Sequence, residues 1–462
     1  MLELIDKCNS VKDKINLAKI YANMMTNNIK KIYDAEELEE SIALFILRVG
    51  SFDIPTVELN AKDVLHLITE PYDYGGHTRL CERISAMDVF DSHLLVSQYN
   101  VNPNIICRLS GFFDKITISD NIFFEEKILF LFNEIMKYET VVLHIHPSDI
   151  ESAIAVRLAK MFSPNTKVFF VNHADHIFSF GRTISDVILQ ISFRGYEVAA
   201  ANANPYKNVS FLGIPLNVDV KPVFKNKIRH YIMAGSSYKM KPNKKFSIQS
   251  KIYDILSTEK ESVISIIGVK KTDYWWYYLK LIFPRRIIFY GTLSYDRYLE
   301  VVRKADCCID TGPITGGTTF VEMYLQSLFP LGFHSGICGY TPLDQIRVNS
   351  FSEFINLANM DLEFLFHDVN RVHGFESVKI RYLDALSFKF HPIDNSLKNN
   401  NNDLNLFSEK KYAVLDFFTL CTVLKLQGIT FKQKFIFLFR NFSFLSFIYT
   451  FIPKVINKIS VN

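Results

Sequence analysis

Over residues 1–50 apolar positions recur at helical spacing. Val11, Ile15, Ala18, Ala22 and Met25 fall on one helix face, and Ile42, Phe45, Ile46 and Val49 on another. From about residue 61 short apolar runs alternate with helix-length periodic segments. Val64–Thr69, Leu94–Ser97, Val141–Ile145, Val168–Val171 and Asp186–Ile191 predict strands, and Ser148–Met161 predicts one of the intervening helices. Strands that are apolar at consecutive positions are buried on both faces, so the alternation predicts a parallel sheet covered by helices. Gly213–Lys227, with Pro215, Pro222 and several charges, reads as a linker, and the pattern then restarts. It predicts strands at His230–Ala234, Val263–Ile267, Arg286–Tyr290 and Cys307–Asp310, and helices at Lys244–Leu256, Asp273–Ile282, Tyr295–Lys304 and Thr318–Ser327. The expected fold class is α/β: two Rossmann-like doubly wound domains facing a cleft, with N-terminal helices and a C-terminal amphipathic helical tail. The expected boundaries are 1–58 for the helical segment, 59–215 and 228–390 for the two domains, and 404–462 for the tail. His391–Asn402, ending in four asparagines, is expected to be a disordered loop.

Composition and charge narrow the partners. Apolar residues make up 48% of the 462 and charged residues 22%, as in a globular chain with large cores. The net charge of +4 is too small for a general nucleic-acid binder. The seven cysteines form no CxxC pair, which argues against a disulfide scaffold or zinc cluster and for a reducing compartment. No signal peptide is visible, so the expected location is cytoplasmic. Phe417–Asn462 holds six basic residues and no acidic one; without those six charges the rest of the chain stands at −2. Within Phe435–Ile452, Arg440, Ser443, Ser446 and Thr450 form one polar stripe on an apolar helix. Two readings stay open there: a helix peripheral to an anionic inner leaflet, or a helix packed between domains.

Four loops at predicted strand ends carry candidate chemistry. In Asp310-Thr-Gly-Pro-Ile-Thr-Gly-Gly-Thr-Thr-Phe-Val-Glu322 a strand ends, glycines including Gly316 and Gly317 follow, and Thr318 and Thr319 open a helix. Glycine permits close backbone approach, and free N–H groups at a helix start attract phosphate. The plainer alternative is an ordinary turn with Thr318 as the N-cap. Lys239, in Gly235–Pro242, brings a cation able to neutralise a diphosphate leaving group. In the loop from Asp73 to Arg79, Gly75 and Gly76 allow a tight turn that places His77 near a helix N-terminus, where the dipole favours a neutral ring able to act as base or donor. His173-Ala-Asp175-His176 offers a second acid/base group, or a metal site that needs a fourth ligand from elsewhere, and His144 and His146 alternate onto one strand face, where a metal or binding role stands beside plain packing in the cleft. The chain has no Asp-x-Asp, GxGxxG, GxxxxGK[ST] or GxSxG motif, which argues against a metal–diphosphate chelate, a dinucleotide dehydrogenase, a P-loop NTPase and an α/β-hydrolase.

Together these segments resemble a GT-B glycosyltransferase, in the branch of the O-GlcNAc transferases and the cytosolic bacterial protein N-glucosyltransferases. The run from Phe289-Tyr-Gly291 through Ile309-Asp310 to Thr315-Gly-Gly-Thr-Thr and Glu322 is similar to their sugar-nucleotide segment. Gly317 stands where the O-GlcNAc transferases carry His, and Glu322 where they carry Asp. Tyr238-Lys239-Met-Lys-Pro242 is similar to their phosphate-binding lysine segment, and Gly75-Gly76-His77 to their Gly-x-His loop. His-Ala-Asp-His also resembles a segment of bacterial surface-polysaccharide glycosyltransferases. The resemblance implies nucleotide-sugar binding by Lys239, Gly291, Asp310, Gly316, Gly317, Thr318, Thr319 and Glu322. It implies catalysis by His77, Asp175 and His173, with His77 the first choice of base, and acceptor binding by Gly76, Thr78 and Arg79.

The function expected from the sequence is therefore a metal-independent glycosyltransferase needing no cofactor, hexosyl or N-acetylhexosaminyl. Its donor would be a nucleotide-diphosphate sugar, UDP-linked by resemblance, and transfer would be inverting. Residues 1–50 are too short for a tetratricopeptide array at roughly 34 residues per repeat, which favours a glycan or lipid-linked acceptor in surface polysaccharide (O-antigen) synthesis over a protein. A sugar-nucleotide epimerase of the same fold and a protein O- or N-glycosyltransferase are the alternatives.

Overall fold

The computed structural model describes residues 2–28, 32–50, 60–73, 76–98, 101–119, 122–201, 208–336, 338–357, 362–398 and 417–442. Two all-parallel sheets organise them. The first has seven strands: β1 (Asn60–Ile68), β2 (Ser92–Val96), β3 (Lys115–Ile118), β4 (Tyr138–His144), β5 (Lys167–Asn172), β6 (Val187–Gln190) and β7 (Val209–Phe211), in spatial order 3-2-1-4-5-6-7. The second has five: β8 (His230–Ala234), β9 (Val263–Ile267), β10 (Ile287–Tyr290), β11 (Cys307–Ile309) and β12 (Phe329–Leu331), in order 10-9-8-11-12. Both orders reverse direction once, between β1 and β4 and between β8 and β11. The crevice outside the carboxyl ends of the strands at such a reversal is where open α/β sheets take ligands.

Nine predicted strands are present within a few residues of their expected bounds. Three were not predicted. β3 is a four-residue edge strand, and β7 and β12 have three residues each, too few for periodicity to register against their flanks. The segment Asp273–Ile282 is a 3₁₀ turn at Tyr274–Trp276 followed by a short helix, rather than one helix.

The N-terminal helices Val11–Asn28 and Glu36–Val49 share a core with helices Phe124–Ile135 and Ile150–Phe162 on one face of the first sheet. A buried ion pair, Glu39 to Arg157 at 2.9 Å, ties helix Glu36–Val49 to that layer. Helices Phe417–Lys425 and Phe431–Asn441 join the same core through Leu420, Val423, Phe437 and Leu438. They cover the N-terminal helices and do not lie between the domains. Residues 443–462, with Ser443, Ser446 and Thr450 of the polar stripe, lie outside the described residues, as do 399–416, which include the asparagine run. Among the described residues no helix is long and apolar enough to cross a membrane.

The two domains meet in a closed cleft. Arg83 pairs with Glu322 at 2.6 Å, the Arg79 guanidinium lies 4.1 Å over the Tyr295 ring, and the Phe193 N–H donates to the Gly339 carbonyl at 2.7 Å. Helix Phe375–Leu386 returns to the first domain, where the Tyr382 hydroxyl donates to Asp88 at 2.8 Å; further on, the His391 carbonyl accepts from the Phe211 N–H.

Candidate active site

In the second domain the chain leaves β8 through a 3₁₀ turn, Ser237–Met240, and leaves β11 through the loop 310–317 into helix Thr318–Leu325. The two loops touch: the Ile314 N–H donates to the Lys239 carbonyl at 3.3 Å, and Lys239 Nζ reaches the Thr315 carbonyl at 3.5 Å. Among the described residues Lys239 makes no ion pair. Burial pushes its ammonium pKa below the ordinary lysine range, with Asp310 opposing.

Asp310 shapes this loop from inside. One carboxylate oxygen accepts from the Thr311 and Gly316 N–H groups, both at 2.8 Å, and the other pairs with Arg347 at 2.5 Å. A Cβ at Gly316 would lie 2.9 Å from that carboxylate, so only glycine lets the loop close on it without displacement. The helix N-cap is Gly317, not Thr318, and no side chain caps it. Its first-turn N–H groups therefore have no side-chain acceptor supplied by the cap. Thr318 and Thr319 are half-buried beside them, and Glu322, one turn on, faces Arg83 of the first domain. Gly291 ends β10, the edge strand two places from the reversal, and is exposed.

In the first domain four strand ends supply imidazoles and their partners. The loop after β1 carries Tyr72 into helix Gly76–Ser85, whose second residue is His77; Gly75 lies outside the described residues. The Thr78 hydroxyl accepts from the Tyr72 N–H at 2.7 Å and so holds the loop, while Gly76 is exposed. His77, His146, His173, Tyr72 and Arg182 line a cavity of about 250 Å³. The rings of His77 and His173 are 4.3 Å apart, and His146 stacks on Tyr72. Neither ring nitrogen of His77 meets a well-formed hydrogen bond. Its pKa is pushed down to about 3 by burial, then by His146, with the His144 carbonyl opposing. The ring is neutral at neutral pH.

Asp175 faces elsewhere. Its fully buried carboxylate accepts from Arg194 at 2.6 Å, Tyr340 at 2.8 Å, His176 at 3.1 Å and the Ser192 hydroxyl. Burial pushes its pKa up, but Arg194 and these donors outweigh burial and hold it below the ordinary carboxylate range. A carboxylate so occupied binds the two domains together, through Arg194 and Tyr340, and is a poor proton acceptor.

No protein-family model matches the chain, and no curated protein is similar enough to match it. Among solved structures, Anabaena HepE in complex with UDP and glucose superposes with a TM-score of 0.52 at 9% identity, over 70% of this chain and 99% of that one. The lipopolysaccharide outer core galactosyltransferase WaaB gives 0.52 at 14%, over 71% and 100%. The chain has the GT-B fold. Identity this low speaks to the fold alone.

Within the GT-B cleft the structure gathers Lys239, Gly316, Gly317, Thr318, Thr319 and Glu322 at the reversal of the second sheet, and His77 and His173 at that of the first. Gly291 and Asp175 are not in either group's open space, and Arg79 spans the cleft to Tyr295. Sequence reasoning missed His66, Asp88, Arg83, Arg194, Tyr340 and Arg347. Only His66 left a local signal, a single polar residue inside the buried run of β1. Each of the others has a partner distant in the chain, as Arg194 has Asp175 and Asp88 has Tyr382.

His66, Cys81 and His144 place their ligand atoms within 4.8 Å of one another. The His66 and His144 nitrogens are 3.1 Å apart, a hydrogen bond, and burial raises the Cys81 thiol pKa well above its usual range. The two imidazoles are hydrogen-bonded to each other, with the Cys81 sulfur beside them.

Proposed function

We propose that the protein is a glycosyltransferase that takes a nucleotide-diphosphate sugar, UDP-linked, and transfers its sugar to a glycan or lipid-linked glycan in surface polysaccharide synthesis. One observation carries the reading: Lys239, an ammonium group without a counter-ion among the described residues, stands over a loop that opens into a helix start without a side-chain cap. Backbone amides, threonine hydroxyls and an ammonium together suit a diphosphate, and stabilise the charge that develops on it as the sugar leaves. The cavity beside His77 and His173 in the facing domain then takes the acceptor. HepE, of similar fold, binds UDP and UDP-glucose, which favours UDP as the nucleotide. Metal has no part in this proposal.

A melting-temperature panel tests it. UDP and at least one UDP-sugar should raise the melting temperature, since ligand at a hundredfold excess over its dissociation constant adds about 2.7 kcal/mol. No shift with any nucleotide or nucleotide sugar would exclude the proposal. Conversion of a UDP-sugar to its epimer without acceptor would replace the transferase by an epimerase.

A membrane contact is part of the proposal. Phe431, Phe435 and Phe439 form an exposed row on helix Phe431–Asn441, with Phe431 71% and Phe435 50% accessible, and exposed Lys432 and Arg440 beside it. Aromatic and basic side chains on one helix suit an anionic lipid surface. The full chain should co-sediment with vesicles containing phosphatidylglycerol and not with pure phosphatidylcholine, and F435E/F439E should lose that binding. Equal partition to both would refute the contact.

A further inference from the structure

One of the imidazoles lining the cavity, His173, is the end of a chain of hydrogen bonds that crosses the first sheet. The Asp88 carboxylate, 1% exposed at its side chain, receives His66 Nε2 at 2.7 Å, the Ser92 hydroxyl at 2.6 Å and the Tyr382 hydroxyl at 2.8 Å. His66 Nδ1 lies 3.1 Å from His144 Nε2, and His144 Nδ1 lies 2.9 Å from His173 Nε2. His173 lines the cavity, and its Nδ1 has no hydrogen-bond partner among the described residues. Each ring comes from a different element: His66 from β1, His144 from the end of β4 and His173 from just beyond β5, neighbours in the sheet.

The Asp88 carboxylate accepts from the Ser92 and Tyr382 hydroxyls, and a carboxylate oxygen beside His66 Nε2 takes the proton of that nitrogen as a third hydrogen bond. With a single proton on its ring, His66 carries it on Nε2 toward Asp88 and leaves Nδ1 bare. That bare nitrogen requires the proton of His144 on Nε2, which leaves His144 Nδ1 bare, which in turn requires the proton of His173 on Nε2. One carboxylate thus sets three tautomers and leaves the lone pair on the cavity end of the row. Burial, and the neighbouring rings, hold His144 and His173 well below the ordinary imidazole range, so both are neutral before a proton arrives.

We propose that Nδ1 of His173 is the general base of the reaction, and that Asp88, His66 and His144 form a relay that orients it and carries the proton away. This rests on the transferase reading above. The acceptor O–H breaks as its oxygen bonds the anomeric carbon, and the bond from that carbon to the diphosphate oxygen breaks, leaving the nucleoside diphosphate. The hydroxyl proton bonds to His173 Nδ1. The Nε2 proton of His173 passes to His144 Nδ1, and that of His144 Nε2 to His66 Nδ1. His66 is left doubly protonated against the Asp88 carboxylate, so the charge rests deep in the domain, away from the sugar. His173 is the catalytic residue; Asp88, His66 and His144 are positioning residues. The arrangement extends the logic by which a buried carboxylate orients a single imidazole base.

Imidazole nitrogen NMR on the full chain tests the relay without any substrate. In the wild type, with signals assigned by H66Q, H144Q and H173Q, all three rings should be neutral with the proton on Nε2. D88N, which can present an N–H to His66, should move protons to Nδ1 along the row. A His173 ring protonated on Nδ1 in the wild type, or tautomers unchanged in D88N, would overturn the relay, as would a stoichiometric metal ion found bound at His66 and His144 by elemental analysis. With UDP-glucose, UDP-galactose and UDP-N-acetylglucosamine as probes, D88N should lower the kcat of UDP release by ~10²–10⁴ while KM changes little. Should D88N fail to fold, the wild-type spectrum still decides. A chain that turns over no sugar nucleotide yet shows the Nε2 row would refute the function and leave the tautomer order standing.

Discussion

Replacing Lys239 by alanine should lower turnover of the sugar-nucleotide donor by about 10²–10³, the usual cost of removing one preorganised donor from developing charge. Among the described residues the side chain makes one long hydrogen bond, to a backbone carbonyl, and no ion pair, so its loss should leave the loop intact. The defect belongs in kcat, because the charge on the diphosphate oxygen grows as the bond to the sugar breaks. Donor affinity should fall as well, but by less. Arginine at 239 should not restore the rate, since its planar fork cannot take the place of a compact ammonium beside the Thr315 carbonyl. Steady-state rates of UDP release for wild type, K239A and K239R measure this. Near-normal kcat in K239A would remove the lysine from the mechanism and with it the chief support for diphosphate binding.

The second large effect is on stability. His77, His144 and His173 have folded-state pKa values below the unfolded value of 6.5, chiefly because burial penalises the charged ring. Above pH 6.5 folded and unfolded chains are both neutral at these sites. As pH falls through 6.5 the unfolded chain binds protons that the folded chain refuses, so stability drops. The loss per group is about 1.4 kcal/mol per pH unit, and three groups together approach ~4 kcal/mol per unit. For His77 it continues until the pH reaches its folded value of about 3. Asp175 adds to the loss below the unfolded carboxylate value of 3.8, because its own folded value is depressed. Urea midpoints at pH 7.5, 6.5, 5.5 and 5.0 should fall steeply over the last three, and H77Q should reduce the slope by part only, since burial also lowers His146, His176, His230, His334 and His373. A midpoint unchanged between pH 7.5 and 5.0 would mean that these rings are charged or solvated in the folded protein.

Both effects come from one architectural fact. A doubly wound sheet brings the ends of non-adjacent strands into one crevice. The cavity owes its imidazoles to the ends of two strands and one helix start, and the loop 310–317 owes its shape to Asp310, whose carboxylate pins Gly316 and is itself neutralised by Arg347. The same closure places Glu322 against Arg83, so a ribose hydroxyl bound by Glu322 would have to share or displace that guanidinium.

The amino-acid sequence by itself determined the elements and their class. Consecutive apolar residues in runs such as Val141–Ile145 and Val263–Ile267 can be satisfied only by strands buried on both faces, and the helix-length segments between them supply the cover. It also marked the loops where glycines, threonines and lysine gather at the ends of strands, local features that a reader meets in order. Tertiary structure alone decided what those groups do. Thr318 is not the N-cap, Asp310 holds its own loop, and Asp175 is spent on Arg194 and Tyr340. Sequence order does not show this, since it takes the folded loop to turn Gly316 onto Asp310, and Arg347 and Tyr340 come from far along the chain. His66 and Asp88 belong to the same class: a buried polar side chain must find a partner, but only folding chooses which one. Pairing β1 with β4 and β4 with β5 lines three imidazoles up behind the cavity.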